Sequence, residues 1–183
     1  QQDVLDRIKE RTTIDDEDVK KNSQRFLYVK GRPGSGKTAV LIEGAVRAAK
    51  DGLTVLIVCP TGALVCSLKE WLPEFEGVER IHVDTIHSVL KYKRDRDNRV
   101  EFVPPSGFRK YEVVLCDEGS QYDDLEWQRL FQTVKEQPHL PYVMVVADFQ
   151  QLRPMSNGSM CKKFCERMES IELVTSYRST CPV

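Results

Sequence analysis

Apolar positions recur along the chain in two alternating rhythms. Phe26–Lys30 is a short β-prone run that ends in a glycine-rich segment. Beyond it, Leu41, Ala45, Ala48 and Ala49 fall at helical spacing, and Asp51-Gly52 stops the helix. Leu53–Cys59 is almost continuously apolar, as a strand buried on both faces should be. Pro60-Thr61-Gly62 breaks that run, and a helix is predicted from about Ala63 to Leu72. Arg80–Val83 reads as a short strand and Thr85–Tyr92 as a helix. Residues 93–110 carry a run of mixed charges and then Pro104-Pro105-Ser106-Gly107, and are expected to form an irregular insertion. Glu112–Cys116 is the next strand. The helix after it buries Trp127, Leu130, Phe131 and Val134, spaced i, i+3, i+4, i+7. Tyr142–Ala147 is another strand, and Glu172–Val174 lies in a last one.

Strands alternating with helices imply an α/β fold, a parallel sheet with helices on both faces and right-handed crossovers. At roughly 150 residues per domain, residues 1–183 make one domain, or one domain plus an appendage. Such sheets bind ligands beyond the carboxyl ends of their strands, and the chemically unusual residues fall there. The longest apolar runs are strand-length, well short of the ~20 residues of a membrane span, so no membrane partner is expected.

The formal charge is -1, from 27 basic and 28 acidic residues, which argues against polymer binding by bulk charge alone. The charge is uneven. Residues 1–20 hold seven acids and four bases, whereas residues 91–110 hold seven bases and three acids. Cysteines stand at 59, 66, 116, 161, 165 and 181, with no C-x-x-C pair. They read as reduced thiols of an intracellular protein, in a compartment the sequence does not specify. Cys161 and Cys165, at i,i+4, can share a helix face.

The sharpest signal is Gly31-Arg32-Pro33-Gly34-Ser35-Gly36-Lys37-Thr38, which fits G-x-x-x-x-G-K-[ST] with a strand before it and a helix after it. Glycines let backbone N–H groups converge on phosphate oxygens, and the helix N-terminus adds partial positive charge. Lys37 is expected to neutralise the β/γ-phosphates of ATP, and Thr38 to place its hydroxyl on Mg²⁺. Gly31, Pro33, Gly34, Ser35, Gly36, Lys37 and Thr38 are thus the candidate nucleotide-binding residues, and the chain is expected to be a P-loop NTPase. A phosphate cradle needs a carboxylate for its metal. Val113–Cys116 ends in Asp117-Glu118: Asp117 would hold Mg²⁺, and Glu118 would orient or deprotonate the attacking water.

Five further segments resemble those of a superfamily 1 helicase, most like its RecD-like branch. Asp117-Glu118-Gly119-Ser120 resembles the D-E-A-S box, with Gly119 a small-for-small replacement. Cys59-Pro60-Thr61-Gly62-Ala63 and Thr85-Ile86-His87 resemble two segments that contact single-stranded nucleic acid. Ala147-Asp148-Phe149-Gln150-Gln151-Leu152-Arg153-Pro154 resembles G-D-x-x-Q-L-P-P, and Leu173–Ser179 the L-x-x-x-Y-R-S element. In addition to these five, the N-terminal Gln1-Gln2-Asp3-Val4-Leu5-Asp6-Arg7-Ile8 resembles the tail of the adenine-reading box.

The resemblance implies a first RecA-like motor domain. Gln1 would read adenine, Gln151 would sense the γ-phosphate, and Arg178 would reach it. Pro60, Thr61, Gly62, Thr85 and His87 would grip a single strand, DNA favoured over RNA. It implies an ATP-dependent 5′ to 3′ DNA helicase or translocase, and a second RecA-like domain that is missing from the chain. An isolated first domain is expected to be poorly active. Two other classes remain open: an RNA helicase domain, and a nucleotide-gated binding or switch module with slow turnover. Structural roles also remain open for single residues. Thr61 and Gly62 suit a helix cap, His87 a satisfied position on a helix face, Gln151 a loop, Arg178 a surface, and residues 91–99 a solvated loop.

Overall fold

The computed structural model describes residues 25–94, 100–102, 111–148 and 159–174. Its centre is a six-stranded parallel sheet. The strands are β1 (Phe26–Gly31), β2 (Val55–Cys59), β3 (Ile81–Thr85), β6 (Val113–Cys116), β7 (Tyr142–Ala147) and β8 (Glu169–Leu173), in the order β3-β2-β6-β7-β1-β8. The register aligns Tyr28 with Val145 across β1 and β7, and Val58 with Cys116 across β2 and β6. All carboxyl ends therefore lie along one side of the sheet.

Alternating side chains of these strands feed two separate cores. On one face Leu27, Val29, Ile57, Leu115 and Met144 pack with Leu41, Ala45 and Ala48 of helix α1 (Lys37–Lys50), and with Val65 and Leu68 of helix α2 (Gly62–Trp71). On the other, Leu56, Val58, Val114, Val143 and Val145 pack with Trp127, Leu130, Phe131 and Val134 of helix α4 (Asp124–Lys135), and with Cys161 and Cys165 of helix α5 (Ser159–Cys165). Burial on both faces is why β2 and β7 read as unbroken apolar runs rather than alternating ones. The aromatic layer is continuous: Trp127 stacks on Phe131 at 5.3 Å between ring centres, and Phe131 on Phe164 at 3.9 Å.

Helix α4 starts on a full capping box. Asp123 accepts from Glu126 N, and Glu126 accepts in turn from Asp123 N, each at 2.7 Å. Cys161 and Cys165 share a buried face as their spacing suggested, with their sulfurs 3.9 Å apart. The described cysteines are free thiols. The contact with Cys165 and burial push the Cys161 thiol far up, and burial pushes the Cys59 thiol up to about 12. These buried sulfurs are therefore inert packing atoms.

Three expectations need correction. The helix foreseen over Thr85–Tyr92 is only α3 (Ile86–Val89), because Lys91 adopts φ 47 and turns the chain out of it. The segment 93–110 is not wholly irregular. Strand β4 (Tyr92–Arg94) pairs antiparallel with β5 (Val100–Phe102), Tyr92 facing Phe102 and Arg94 facing Val100 in register. That pairing crosses the intervening charges, so local periodicity does not reveal it. The last strand, Glu169–Leu173, holds Glu172 and Leu173 as foreseen, but Val174 lies beyond it, 85% exposed.

Candidate functional site

The loop after β1 closes on itself. Gly34 and Gly36 have φ 77 and 84, conformations that a Cβ disfavours, and Gly36 leads directly into α1. At Gly31 a Cβ would collide with Ser35 Oγ and stand 3.2 Å from Leu173, so glycine there lets the loop fold back against β8. Ser35 N donates to Arg32 O at 3.1 Å. The Ser35 hydroxyl is buried and has no hydrogen-bond partner among the described residues. Lys37 is only 6% exposed: its ammonium donates to Gly31 O at 2.9 Å and Arg32 O at 3.1 Å. The lysine thus spans the mouth of the loop as a point charge, and those carbonyls hold it where phosphate oxygens would compete for it.

Asp117 follows β6. Two strand positions separate β6 from β1, with β7 between them, yet Thr38 Oγ1 donates to Asp117 Oδ2 at 3.3 Å across 79 residues of sequence. Asp117 is fully buried. Burial, and then the neighbouring Glu118 carboxylate, push its pKa up to about 6, against the pull of Glu118 N–H, the Thr38 hydroxyl and Lys37. A desolvated carboxylate beside a second carboxylate and a hydroxyl is a hard-oxygen donor set in need of positive charge. The residues present therefore fit a magnesium ion, with Thr38 and Asp117 as the groups that would hold it. Asp148, directly after the intervening strand β7, is 6% exposed and lies at the same end of the sheet. It sits inside the Gly-Asp-like segment, but sequence reasoning did not single it out.

Glu118 stands at φ 48 and ψ 43, a left-handed conformation unusual for a non-glycine residue. Its carboxylate accepts from Gln121 Nε2 at 3.4 Å. Gly119 is more constrained than a small-for-small exchange suggests. A Cβ there would lie 2.9 Å from both Trp127 Cζ2 and Val145 Cγ1, while Gly119 O accepts from Trp127 Nε1 at 2.9 Å. Glycine thus leaves the room in which the indole packs against the acidic turn. Sequence reasoning also missed Tyr122. Its ring is fully buried, and burial holds its hydroxyl well above its usual pKa and hence protonated. A tyrosine just past an acidic box was the available signal.

The neighbouring strand ends carry the other candidates. Pro60 is buried, and Thr61 caps α2, its hydroxyl accepting from Leu64 N at 3.3 Å. Gly62 is exposed, and nothing lies within 4 Å of where its Cβ would be, so the fold itself does not require glycine there. Thr85 caps α3 by accepting from Ser88 N at 3.2 Å. Its own N–H donates to Asp84 Oδ1 at 2.7 Å and is already engaged. His87 is 57% exposed, and its Nε2 lies 2.8 Å from Oε1 of the buried Glu126. Gln1, Gln151 and Arg178 lie outside the described residues.

A glycine loop wrapped over a lysine, opening a helix whose threonine meets a buried aspartate at the carboxyl edge of a parallel sheet, defines a P-loop nucleotide-hydrolase class of site. The chain belongs to the AAA domain family, whose model matches residues 17–182. It is similar to the RecD subunit of the RecBCD enzyme of Buchnera aphidicola, 24% identical over 175 residues, covering 84% of this chain and 28% of that protein. It is also similar to the ATP-dependent DNA helicase dda of phage T4, 28% identical over 146 residues, covering 75% of this chain and 30% of that one. Among solved structures, Bacteroides Pif1 bound to single-stranded DNA superposes with a TM-score of 0.59 at 16% identity, over 98% of this chain and 43% of that one. The chain thus spans under a third of the curated relatives it matches here. These relatives bear out the resemblance to the RecD-like branch of superfamily 1, and the sheet bears out the α/β RecA-like fold. Among the described residues, no helix is long and apolar enough to cross a membrane.

Proposed function

We propose that this chain is the first motor domain of an intracellular, ATP-dependent DNA helicase that moves 5′ to 3′ on a single strand. The observation that carries this reading is the meeting of Thr38, Asp117 and Lys37 at the sheet edge that also presents Thr61, Gly62 and His87. The relatives named as DNA helicases support the same reading.

In this reading the backbone N–H groups of Gly34–Thr38 cradle the phosphates of ATP, with Pro33 and Ser35 shaping the loop. Lys37 exchanges the carbonyls of Gly31 and Arg32 for phosphate oxygens. Thr38 and Asp117 would hold Mg²⁺, which would supply charge neutralisation at the phosphates. Glu118 orients the attacking water and accepts its proton as ATP goes to ADP and phosphate. Gln151 and Arg178 serve the γ-phosphate, and Gln1 reads adenine. Pro60, Thr61, Gly62, Thr85 and His87 contact the sugar-phosphate backbone. The missing Cβ of Gly62 leaves an open approach for a phosphate to the start of α2. A second RecA-like domain would complete the motor by bringing a further positive charge to the γ-phosphate, of a kind worth ~10³–10⁵ in rate.

The test compares ATP binding and turnover, with and without single-stranded DNA, in the full-length protein and in its Glu118→Gln variant. Retained ATP affinity with lost turnover is the expected result. Binding and turnover falling together would make Glu118 structural. No ATP binding to the unmutated protein would end the proposal.

A further inference from the structure

Two side-chain ties run from the elements that face the proposed polynucleotide into the segment carrying the acidic pair. The first is Tyr122. Its hydroxyl lies 2.7 Å from Val58 O and 3.0 Å from Asp117 O, and Val58 O also accepts from Asp117 N at 3.0 Å. Val58 stands two residues before Pro60, so one carbonyl at the end of β2 gathers both the tyrosine and the backbone of the metal-side aspartate. The second tie is the pair His87–Glu126, at 2.8 Å. The other oxygen of Glu126 accepts from Asp123 N at 2.7 Å, which fixes the residue next to Tyr122.

Between these anchors sits Glu118, held at φ 48. A residue kept in a sparsely populated conformation by its surroundings acquires a second accessible state when those surroundings shift. A polynucleotide docking on Thr61 and Gly62 bears on the end of β2. One docking beside His87 bears on the start of α4. Both sets of contacts converge on the turn 117–123.

We propose that Tyr122 and Glu126 are positioning residues that transmit occupancy of the Thr61 and His87 surfaces to the Glu118 carboxylate, so that a bound single strand raises ATP turnover. This rests on the motor-domain reading and adds the route by which the polymer acts. Neither residue touches ATP or the polymer. Tyr122 acts through Val58 and Asp117, and Glu126 through Asp123 and His87.

The experiment measures ATP turnover against oligo-dT concentration in the full-length protein containing this chain, for the unmutated protein, Tyr122→Phe and Glu126→Gln. Phenylalanine keeps the packed ring and removes only the hydroxyl. Glutamine keeps an oxygen for the capping box and loses the charge toward His87. The expected result is a split: maximal stimulated turnover falls about tenfold, within the usual range of coupling between sites, while basal turnover and ATP KM stay within about twofold. A merely structural role would lower basal and stimulated turnover by the same factor, and that result overturns the proposal. So does stimulated turnover unchanged in both variants. If Tyr122→Phe fails to fold, Glu126→Gln decides alone by the same outcomes. Absence of stimulation in the unmutated protein overturns the motor reading and this inference together, and it is read before any variant is made.

Discussion

Replacing Asp117 by asparagine should make the protein more stable at neutral pH while destroying its metal-dependent chemistry. Burial first, and then Glu118, push the carboxyl up from its ordinary 3.8 to about 6 in the folded chain. Between those values the folded state binds more protons than the unfolded one, so stability falls as pH rises through the window. Below 3.8 there is no penalty, and above about 6 it is complete. The difference between those two values corresponds to roughly 3 kcal/mol. Asparagine is nearly isosteric. It keeps an oxygen for Glu118 N–H, now 3.0 Å from Asp117 Oδ1, and it carries no charge to desolvate. Calorimetry in EDTA should therefore show Asp117→Asn melting higher than the unmutated protein at pH 8, by roughly 6–12 °C at 2–4 °C per kcal/mol for a chain of this size. The gain should shrink toward zero near pH 4. Adding magnesium and ATP should reverse the order, because ligand binding stabilises only a protein that still holds them. A variant that is less stable at pH 8, or a gain that does not change with pH, would refute the burial argument.

Other substitutions separate the roles of neighbouring residues. Lys37→Ala should abolish measurable Mg·ATP binding by titration calorimetry. Because the ammonium also bonds Gly31 O and Arg32 O, the same variant should lose roughly 1.5–3 kcal/mol in urea unfolding; a stability unchanged from the unmutated protein would show those bonds to be idle. Gly119→Ala should cost about 1–3 kcal/mol, since its methyl meets Trp127 and Val145 at 2.9 Å, and a neutral effect would mean the turn can retreat. Trp127→Ala should cost roughly 3–5 kcal/mol, and a loss below about 1 would show that the indole is not part of the core. Polynucleotide affinity should fall steeply with salt and vary little with base sequence, and a flat salt dependence would remove phosphates as the contact.

The amino-acid sequence alone determined what is local. Continuous apolar runs marked β2 and β7, because burial on both faces demands them. The i, i+3, i+4, i+7 pattern marked the buried face of α4. The phosphate loop was legible because positive φ at Gly34 and Gly36 requires glycine within a few residues of a helix start. The acidic pair was legible because it ends an apolar strand.

What joins these pieces was decided only in three dimensions. Thr38 meets Asp117 although β7 lies between β6 and β1, because parallel crossover connections bring the segments after β1 and β6 to one end of the sheet, which no local period records. Lys37 is held by its own loop, Gly119 is fixed by an indole eight residues on, and Tyr122 reaches back to Val58. The pairing of β4 with β5 and the early end of α3 depend likewise on partners distant in the local pattern and on one left-handed lysine. Backbone preference and amphipathic period act over a few residues and are written in the chain. The partner of a buried polar atom is set by strand order, which emerges only when the whole sheet closes its two cores.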